Sequence, residues 1–405
     1  MRFQRSCRFS PAWTQLGPTM RILINLLNFR PGRIGGTETY LRELVAHVPD
    51  VIRDERVILL TSRDVAAEFA DSPLPVASVP WTTAQLCGWR LLEAAIERCQ
   101  ALPIAAAVAR LKPDVVLFPQ QSIFPKWPPA PAVLVVHDLY HLTCPQHLSG
   151  IQRWFRNRSY PAALHRADQI IAISEFTKRD VVARHPGLSN RISAIPHGVR
   201  QFAPGSVTPY RHAAGPYVYY PAATLPHKNH ALLLHSVAAL RDTGRFPYRL
   251  LLSGARSRHW RRLKRLIGRL HLGEVVSHLG QVPYETVLRL IRGAACIVFP
   301  SQFEGFGIPV VEAAALDRKV VTSQLEVFEE IGVPPDCRIN FADLDAFARA
   351  LADTTPAPFL RQPWNWSVCA RATLDVLCRT AQSPRGLSLE PLRSATDTGP
   401  PMRAA

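Results

Sequence analysis

Two glutamates eight residues apart, Glu304 and Glu312, stand where an apolar run gives way to a glycine loop and then to a helix. The run 296–300 is typical of a buried strand. Pro309 suits the first turn of a helix that begins near Ile308, because its missing N–H has no partner to lose there. N–H groups at such a helix start attract an anion such as a diphosphate. The two carboxylates could therefore reach opposite ends of one extended polar ligand.

The glycines of this loop favour a ligand site over a plain turn. Gly305 and Gly307 allow the backbone to approach a bound molecule closely and can adopt a positive φ. The simpler interpretation is that both glutamates are merely solvated. The combination of two glycines, a proline and a strand–loop–helix context favours ligand binding.

A second glycine pair, Gly35-Gly36, follows the first predicted strand at 21–27 and opens the first predicted helix. Backbone N–H groups in such a turn can hold a phosphate, although an ordinary strand-to-helix turn would also use glycine. The pair is not part of a G-x-G-x-x-G motif, which disfavours a nicotinamide-binding site.

Two further side chains could act on such a ligand. His137 follows the predicted strand 132–136, where an imidazole can donate to a hydroxyl or stabilise developing charge, although a lone histidine is more often structural. Lys228 precedes a predicted helix, where its ammonium could neutralise a diphosphate or simply face solvent. His197, in Pro-His-Gly near a domain junction, could be structural or functional.

The segment 256–270 carries seven basic residues and no acidic one. In a helix its apolar residues would share one face: Trp260, Leu263, Leu266, Ile267 and Leu270. The simpler interpretation is a helix with a buried apolar face and a solvated basic face. The alternative is docking to anionic lipid or to a lipid-linked acceptor. Nucleic-acid binding is not expected, because no aromatic and basic recognition module is present.

Apolar runs alternate with helical patterns in two series, separated by a linker near 200–216. The predicted strands are 21–27, 57–61, 115–118, 132–136, 170–174 and 192–195, then 217–220, 249–253, 275–280, 296–300 and 319–322; a final helix is predicted at 366–378. Such a pattern predicts parallel sheets covered on both faces. The fold class is therefore α/β, with two doubly wound units whose ligand-binding strand ends face each other across a cleft.

Composition bounds the function further. The 405 residues are 47 % hydrophobic and 20 % charged, which excludes global disorder. No window of about 18 residues is free of polar breaks, which disfavours a membrane span. The net charge of +17 favours anionic partners, although only six of the 48 basic residues are lysine, a bias that a GC-rich genome would also produce. Eight scattered cysteines without a C-x-x-C pair predict reduced thiols in a cytoplasmic protein.

The segment from Glu304 to Glu312 resembles the E-x7-E signature of the retaining nucleotide-sugar glycosyltransferases of family 4, which have the GT-B fold. The resemblance covers roughly residues 20–380 and includes, in family order, Gly35-Gly36-Thr-Glu38, Val136-His137-Asp138-Leu139, Ser174-Glu-Phe-Thr-Lys178, Ile195-Pro-His197-Gly198-Val199, His227-Lys228-Asn229 and Leu279-Gly280.

The resemblance implies a GT-B architecture of two Rossmann-like domains facing a central cleft. An N-terminal acceptor domain spans 20–205, and a C-terminal donor domain spans 206–360. A helix within 361–381 returns to the first domain. Residues 1–19, which lack the apolar core of a secretory signal, are expected to be a disordered extension, and 382–405 a flexible tail.

The resemblance also implies roles for particular residues. Glu304 would contact the transferred sugar, Glu312 the nucleotide ribose, and Lys228 the leaving diphosphate, while His137 would face the donor sugar. The arginine that family members carry near the lysine is missing, so His227 or a more distant arginine could take its place. The predicted catalytic residues are His137, Glu304 and Lys228, and the predicted donor-binding residues are Gly35, Gly36, Lys228, Glu304, Gly305, Phe306, Gly307, Ile308 and Glu312.

The expected function is transfer of a sugar, mannose from GDP-mannose as first choice, to a saccharide or lipid-linked acceptor with retention of configuration. No cofactor or divalent metal is expected, and an anionic membrane surface is a candidate partner, with peripheral attachment to the inner face of the cell membrane. The alternatives are a nucleotide-sugar epimerase of the same fold and a catalytically silent sugar-nucleotide-binding scaffold. A glycoside hydrolase would also use two carboxylates but would not need phosphate loops or Lys228.

Overall fold

The computed structural model describes residues 20–32, 35–52, 56–203, 205–353 and 365–382, so the predicted extension at 1–19 and the tail beyond 382 lie outside the described residues. The strands are β1 (Ile22–Asn25), β2 (Val57–Ser62), β3 (Val76–Val79), β4 (Val115–Phe118), β5 (Ala132–Val136), β6 (Gln169–Ala172), β7 (Ile192–Ala194), β8 (Tyr217–Pro221), β9 (Arg249–Ser253), β10 (Val276–His278), β11 (Cys296–Phe299) and β12 (Val320–Thr322). The helices are α1 (Gly36–His47), α2 (Thr83–Ala95), α3 (Leu102–Arg110), α4 (Tyr140–Thr143), α5 (Gly150–Arg166), α6 (Glu175–Arg184), α7 (His230–Asp242), α8 (Trp260–Arg269), α9 (Tyr284–Gly293), α10 (Ile308–Ala315), α11 (Glu326–Ile331), α12 (Leu344–Ala352) and α13 (Trp366–Gln382).

The strands form two parallel sheets, one in each domain. The first has the order β3-β2-β1-β4-β5-β6-β7 and the second the order β10-β9-β8-β11-β12. Chain order reverses between β1 and β4 in the first sheet and between β8 and β11 in the second. Doubly wound sheets bind ligands outside the carboxyl ends of their strands at this reversal. The α/β prediction with two Rossmann-like units is confirmed.

The central strands are buried along their whole length, as expected for sheets covered by helices on both faces. All residues of β1, β4, β5 and β11 are buried. The seven cysteines within the described ranges are free thiols, and five of them are buried in these cores.

Strand β3 was not predicted from the sequence. It lies at the edge of the first sheet and pairs only with β2 within the described residues. Two of its four residues are exposed, so it lacks the continuous apolar run of a central strand. The last helix, α13, runs four residues past the predicted end at Cys378 and includes Gln382, which was assigned to the tail.

The final helix α13 follows the second domain in sequence but packs on the first. It contacts α1, β4, β5 and β6, and the hydroxyl of Ser367 donates to Asp50 at 2.7 Å. At its start, Asn365 pairs in a short parallel bridge with Val199, where the chain leaves the first domain. The neighbouring residue Gly198 lies directly against the backbone of Trp366.

We expect Gly198→Ala to destabilise the protein, by roughly 1–3 kcal/mol, because its methyl group would overlap the backbone nitrogen of Trp366. Gly187→Ala is the matched control, since a Cβ there meets nothing within 4 Å. Thermal unfolding of both variants measures the difference. Equal melting temperatures would show that the contact between the two chain crossings is loose.

Candidate active site

Lys228 and Glu304 meet because the strands that precede them are neighbours. Lys228 follows β8, Glu304 follows β11, and these strands pair in parallel. The ammonium of Lys228 donates to both carboxylate oxygens of Glu304, at 2.6 and 2.7 Å. The hydroxyl of Ser301 donates to the same carboxylate at 2.7 Å. The side chains of the pair are 20 % and 11 % exposed, so the pair remains open to a ligand.

The loop after Glu304 turns sharply into α10. Gly307 caps this helix with a φ of 105°, a conformation that only glycine adopts without strain, and Pro309 occupies the first turn as predicted. Phe306 is buried, and its ring lies 5.2 Å from that of His197 in the first domain, so this side chain packs between the two domains.

The glycine pair of the first domain faces this loop across the cleft. Gly36 opens α1, and Gly35 before it has a φ of 51° and a ψ of −129°, which favour glycine. A Cβ on Gly36 would lie 3.7 Å from the Cδ1 atom of Ile308. The two glycine loops, 270 residues apart in sequence, thus border one space.

Glu312 lies one turn into α10 and is 3 % exposed. It does not contact Lys228; instead its Oε1 atom accepts from the hydroxyl of Tyr284 at 2.6 Å. Burial raises the pKa of Glu312 to about 7, and the hydrogen bond from Tyr284 opposes that rise. Arg200 stacks on the Tyr284 ring, 4.8 Å from its centre, and donates to Glu43 of α1 at 2.7 Å.

His137 follows β5 and is held in one tautomer. Its Nε2 atom lies 2.8 Å from the carbonyl oxygen of Pro119, which can only accept, so Nε2 carries the proton. Burial lowers the pKa of His137, and the ring is therefore neutral. The sequence suggested a hydrogen-bond donor here; with Nε2–H committed to Pro119, Nδ1 remains as an acceptor.

Two other histidines considered from the sequence are also neutral. Burial lowers the pKa of His227 to about 3, and the charge of Lys228 adds to the effect. His227 therefore cannot act as the second cation beside Lys228 at neutral pH. His197 packs against Tyr40 and Phe306, at ring distances of 4.7 and 5.2 Å, and burial lowers its pKa well below the usual value.

The loop at 304–307 is held against the first domain at the start of α6. The hydroxyls of Ser174 and Thr177 donate to the carbonyl oxygen of Gly305, at 2.8 and 3.3 Å. Glu330 of α11 accepts from the first two backbone N–H groups of α6, those of Glu175 and Phe176, each at 2.8 Å. The helix start therefore receives an anion from the other domain. A Cβ on Gly305 would overlap the carbonyl oxygen of His137, so this close approach requires glycine.

Sequence reasoning missed three residues of the site: Tyr284, Arg200 and Glu330. Their roles depend on contacts across long sequence distances, and no local motif marks them. The nearest signal was the place of Tyr284 in the sequence, shortly after a predicted strand of the same parallel sheet as β11.

The basic segment 256–270 follows the simpler interpretation. Within it α8 spans Trp260–Arg269, and Leu263 and Leu266 are buried in the second domain's core. Trp260, Ile267 and Leu270 pack partly against the same core. The exposed part of α8 is thus its basic face.

No group of three or more His, Cys, Asp or Glu side chains within the described ranges is arranged to hold a metal ion. Of the helices that the structure describes, none has the length and apolar character needed to cross a membrane.

Comparison with known proteins identifies the family of both domains. Residues 34–201 match the model of Glycosyltransferase Family 4, and residues 211–354 match that of Glycosyl transferases group 1. O-antigen chain mannosyltransferase B of Escherichia coli is 28 % identical over 264 residues, which cover 60 % of this chain and 69 % of that protein. O-antigen chain mannosyltransferase RfbU of Salmonella typhimurium is 26 % identical over 226 residues, covering 56 % and 61 %.

The structure of Anabaena Alr3699/HepE in complex with UDP-glucose shares the fold, with a TM-score of 0.64 at 17 % identity over 89 % of this chain and 100 % of that one. The two domains and their cleft are thus of the GT-B class. The chain belongs to the family-4-like glycosyltransferases of the GT-B fold, as the sequence motifs predicted.

We expect Glu312→Gln to stabilise the protein at pH 8 but not near pH 4.5. The folded-state pKa of about 7 lies above the ordinary value of 4.5, so the folded protein loses stability as pH rises between them. That loss is at most about 3 kcal/mol, or roughly 5 °C in melting temperature. Calorimetry at both pH values measures the melting temperatures of the variant and the unchanged protein. A difference between them that did not depend on pH would contradict the raised pKa.

We expect Glu330→Gln to lower kcat/KM for the glycosyl donor by about tenfold and to raise the fraction of donor lost to water. The side-chain amide of the variant has one oxygen and can accept from only one of the two α6 N–H groups. The second domain, and with it the loop at 304–307, is then held less firmly against the first domain. Nucleotide release with and without acceptor measures both effects.

The matched control is Glu326→Gln on the same helix, whose ion pair with Arg179 is more than half exposed. Exposed pairs contribute little, so its kcat/KM should change by less than about twofold. If both variants behave alike, the Glu330 contact does not control closure.

Proposed function

We propose that this glycosyltransferase transfers a hexose from a nucleotide sugar to an acceptor hydroxyl with retention of the anomeric configuration. The single observation that carries the proposal is the Lys228–Glu304 pair at the reversal point of the donor-domain sheet. A cation for a diphosphate and a carboxylate for sugar hydroxyls stand side by side there, at the start of α10 and across from His137.

Donor binding would change the partners of this pair. The diphosphate takes hydrogen bonds from Lys228, which releases oxygens of Glu304 to accept from sugar hydroxyls. Ser301 continues to orient the carboxylate through its 2.7 Å hydrogen bond. As the bond from the sugar to the diphosphate breaks, negative charge grows on the leaving oxygen, and the ammonium stabilises that charge more strongly than in the ground state.

Glu312 would bind the ribose. Its carboxylate is the acceptor for two neighbouring hydroxyls, and the Tyr284 hydroxyl at 2.6 Å keeps it oriented before the donor arrives. Because the pKa of Glu312 is about 7, donor binding through the ionised form should weaken as pH falls below that value.

Retention would follow from attack on the face that the diphosphate leaves. The acceptor oxygen forms the new bond to the anomeric carbon as the bond to the diphosphate oxygen breaks, and that oxygen takes the acceptor proton. This course needs no protein nucleophile. Neutral His137 lines the reaction centre, where its Nδ1 atom can accept from a sugar hydroxyl.

We infer GDP-mannose as the donor and a saccharide or lipid-linked saccharide of a surface polysaccharide as the acceptor. The similarity to two O-antigen chain mannosyltransferases supports both choices. Lys228 and the start of α10 supply positive charge for the diphosphate, so turnover is proposed to need neither a divalent metal nor a cofactor.

A panel of nucleotide sugars tests the proposal directly. The protein is incubated with GDP-mannose, UDP-glucose and other donors, with and without chelator, and nucleotide release is followed. Release from GDP-mannose in chelator is the expected result, and nuclear magnetic resonance of the product gives its anomeric configuration. An inverted product would contradict retention, and release from none of the donors would reject the proposed activity.

We predict different kinetic effects for the two glutamates. Glu304→Ala should chiefly lower kcat, because it removes a contact beside the breaking bond, while Glu312→Ala should chiefly raise the donor KM. A hydrogen bond to a charged group contributes roughly 1.5–3 kcal/mol, which corresponds to about ten- to hundredfold in either constant. Steady-state kinetics with varied donor measure both values.

Circular dichroism must show that both variants remain folded. Losses below about threefold in kcat/KM for both would contradict the assignment of the two glutamates. If the effects occur with the roles exchanged, the reaction stands and only the two contacts are wrongly assigned.

A further inference from the structure

The exposed large apolar side chains of the described residues concentrate on one side of the first domain. Six of these eleven side chains come from α2 and the residue after it, from α5 and from the loop at 126–127, and they form what we call the α2–α5 face: Leu91, Leu92, Ile96, Trp127, Ile151 and Trp154. Their exposure ranges from 37 % for Leu91 and Trp127 to 67 % for Ile151. Apolar groups gathered this way mark an interaction surface, whereas scattered ones need no explanation.

Helices α2 and α5 lie side by side and run in the same direction. The guanidinium of Arg90 is 5.3 Å from the Phe155 ring, and one turn later Arg158 donates to the carbonyl oxygen of Ala94. This register places Trp154 level with Arg90, the residue before Leu91. The two helices therefore expose their apolar residues together.

The loop at 126–127 joins the C-terminal ends of the same two helices. The ammonium of Lys126 donates to the carbonyl oxygen of Ile96 at 3.3 Å and lies 5.1 Å from the Trp127 ring. The guanidinium of Arg166, at the end of α5, lies 5.6 Å from the centre of the same ring. The face is thus continuous from the start of α5 to its end.

Positive charge surrounds the apolar residues. Helix α5 contains four arginines, Arg153, Arg156, Arg158 and Arg166, and no acidic residue. Of the two glutamates near the end of α2, Glu93 is buried and accepts from the backbone of Ala101, and Glu97 is exposed. Exposed tryptophan and isoleucine beside arginines are the combination that inserts into a lipid headgroup layer while the guanidiniums bind its phosphates.

We propose that the α2–α5 face docks the protein on an anionic lipid surface. The basic helix α8, for which the sequence left lipid docking as an alternative, has its apolar side in the core and exposes charge alone. Charge alone attracts a membrane weakly and reversibly, whereas apolar insertion adds to it. The α2–α5 face offers both contributions.

The same charges decide against a second copy of this chain as the occupant. A symmetric dimer through this face would place the four arginines of each α5 against those of its partner, since a two-fold axis pairs like surfaces. An anionic surface instead complements them.

The face also borders the acceptor side of the cleft. Helix α4, which follows His137 and Asp138, packs on α5, and His141 contacts the Tyr160 ring at 4.9 Å. A lipid-linked saccharide in the docked membrane would extend past α4 into the cleft. This link to the acceptor rests on the proposed function, whereas the docking itself does not.

The test is cosedimentation with vesicles of phosphatidylcholine containing about one third phosphatidylglycerol, against pure phosphatidylcholine. The full chain should bind the anionic vesicles, and binding should weaken at high salt. Ile151→Ser combined with Trp154→Ser should lower the partition coefficient by about tenfold or more, because two inserted side chains are lost.

Two control variants match this change elsewhere. Val76→Ser with Val368→Ser removes two exposed apolar side chains of other surfaces, and Arg261→Gln with Arg265→Gln removes two charges from α8. Both should retain binding within about threefold. Circular dichroism and release of nucleotide from a soluble donor verify that each variant is folded.

Failure to bind anionic vesicles would overturn the proposal, as would undiminished binding of the Ile151/Trp154 variant. Loss of binding only in the α8 variant would move the site to that helix and reject the α2–α5 face. A concentration-dependent dimer that the Ile151/Trp154 change abolishes would identify a second copy as the occupant. Vesicle binding without donor turnover would leave the docking intact and refute the proposed activity, so the two failures are distinct.

Discussion

The contact of the Gly305 backbone with the first domain is the constraint on which the site depends. Its carbonyl oxygen accepts from Ser174 and Thr177, and the space where a side chain would begin is taken by the carbonyl of His137. The adjacent Glu304 is thereby held at the cleft. One residue without a side chain thus sets the distance between the two halves of the candidate site.

The central part of the fold could be predicted because its strands are buried on both faces and read as continuous apolar runs. The proximity of Lys228 and Glu304 could also be predicted from the sequence, since each follows a strand and the carboxyl ends of parallel strands lie at one edge of the sheet. The edge strand β3 was missed because half of it faces solvent. Tyr284, Arg200 and Glu330 were missed for a different reason: their partners lie in other elements, and only the packed structure selects them.

Burial gives the charged groups of the site different tasks. The Glu304 carboxylate forms an ion pair with Lys228 and is partly exposed. The Glu312 carboxylate is buried, its hydrogen-bond donor among the described side chains is the neutral Tyr284, and its pKa rises to about 7. The neighbouring His137 and His227 are neutral for the same reason, desolvation. The positive charges of the site are therefore those of Lys228 and Arg200, and the imidazoles are uncharged groups.

The position of α13 has a mechanical consequence. The chain passes between the domains twice, and Val199 before the first crossing is paired by a short bridge with Asn365 after the second. A single crossing would act as a tether about which one domain could swivel in any direction. Two crossings whose ends are paired restrict that rotation more than one crossing would. A cleft that opened and closed under this restraint would bring the Gly305 carbonyl back to the hydroxyls of Ser174 and Thr177.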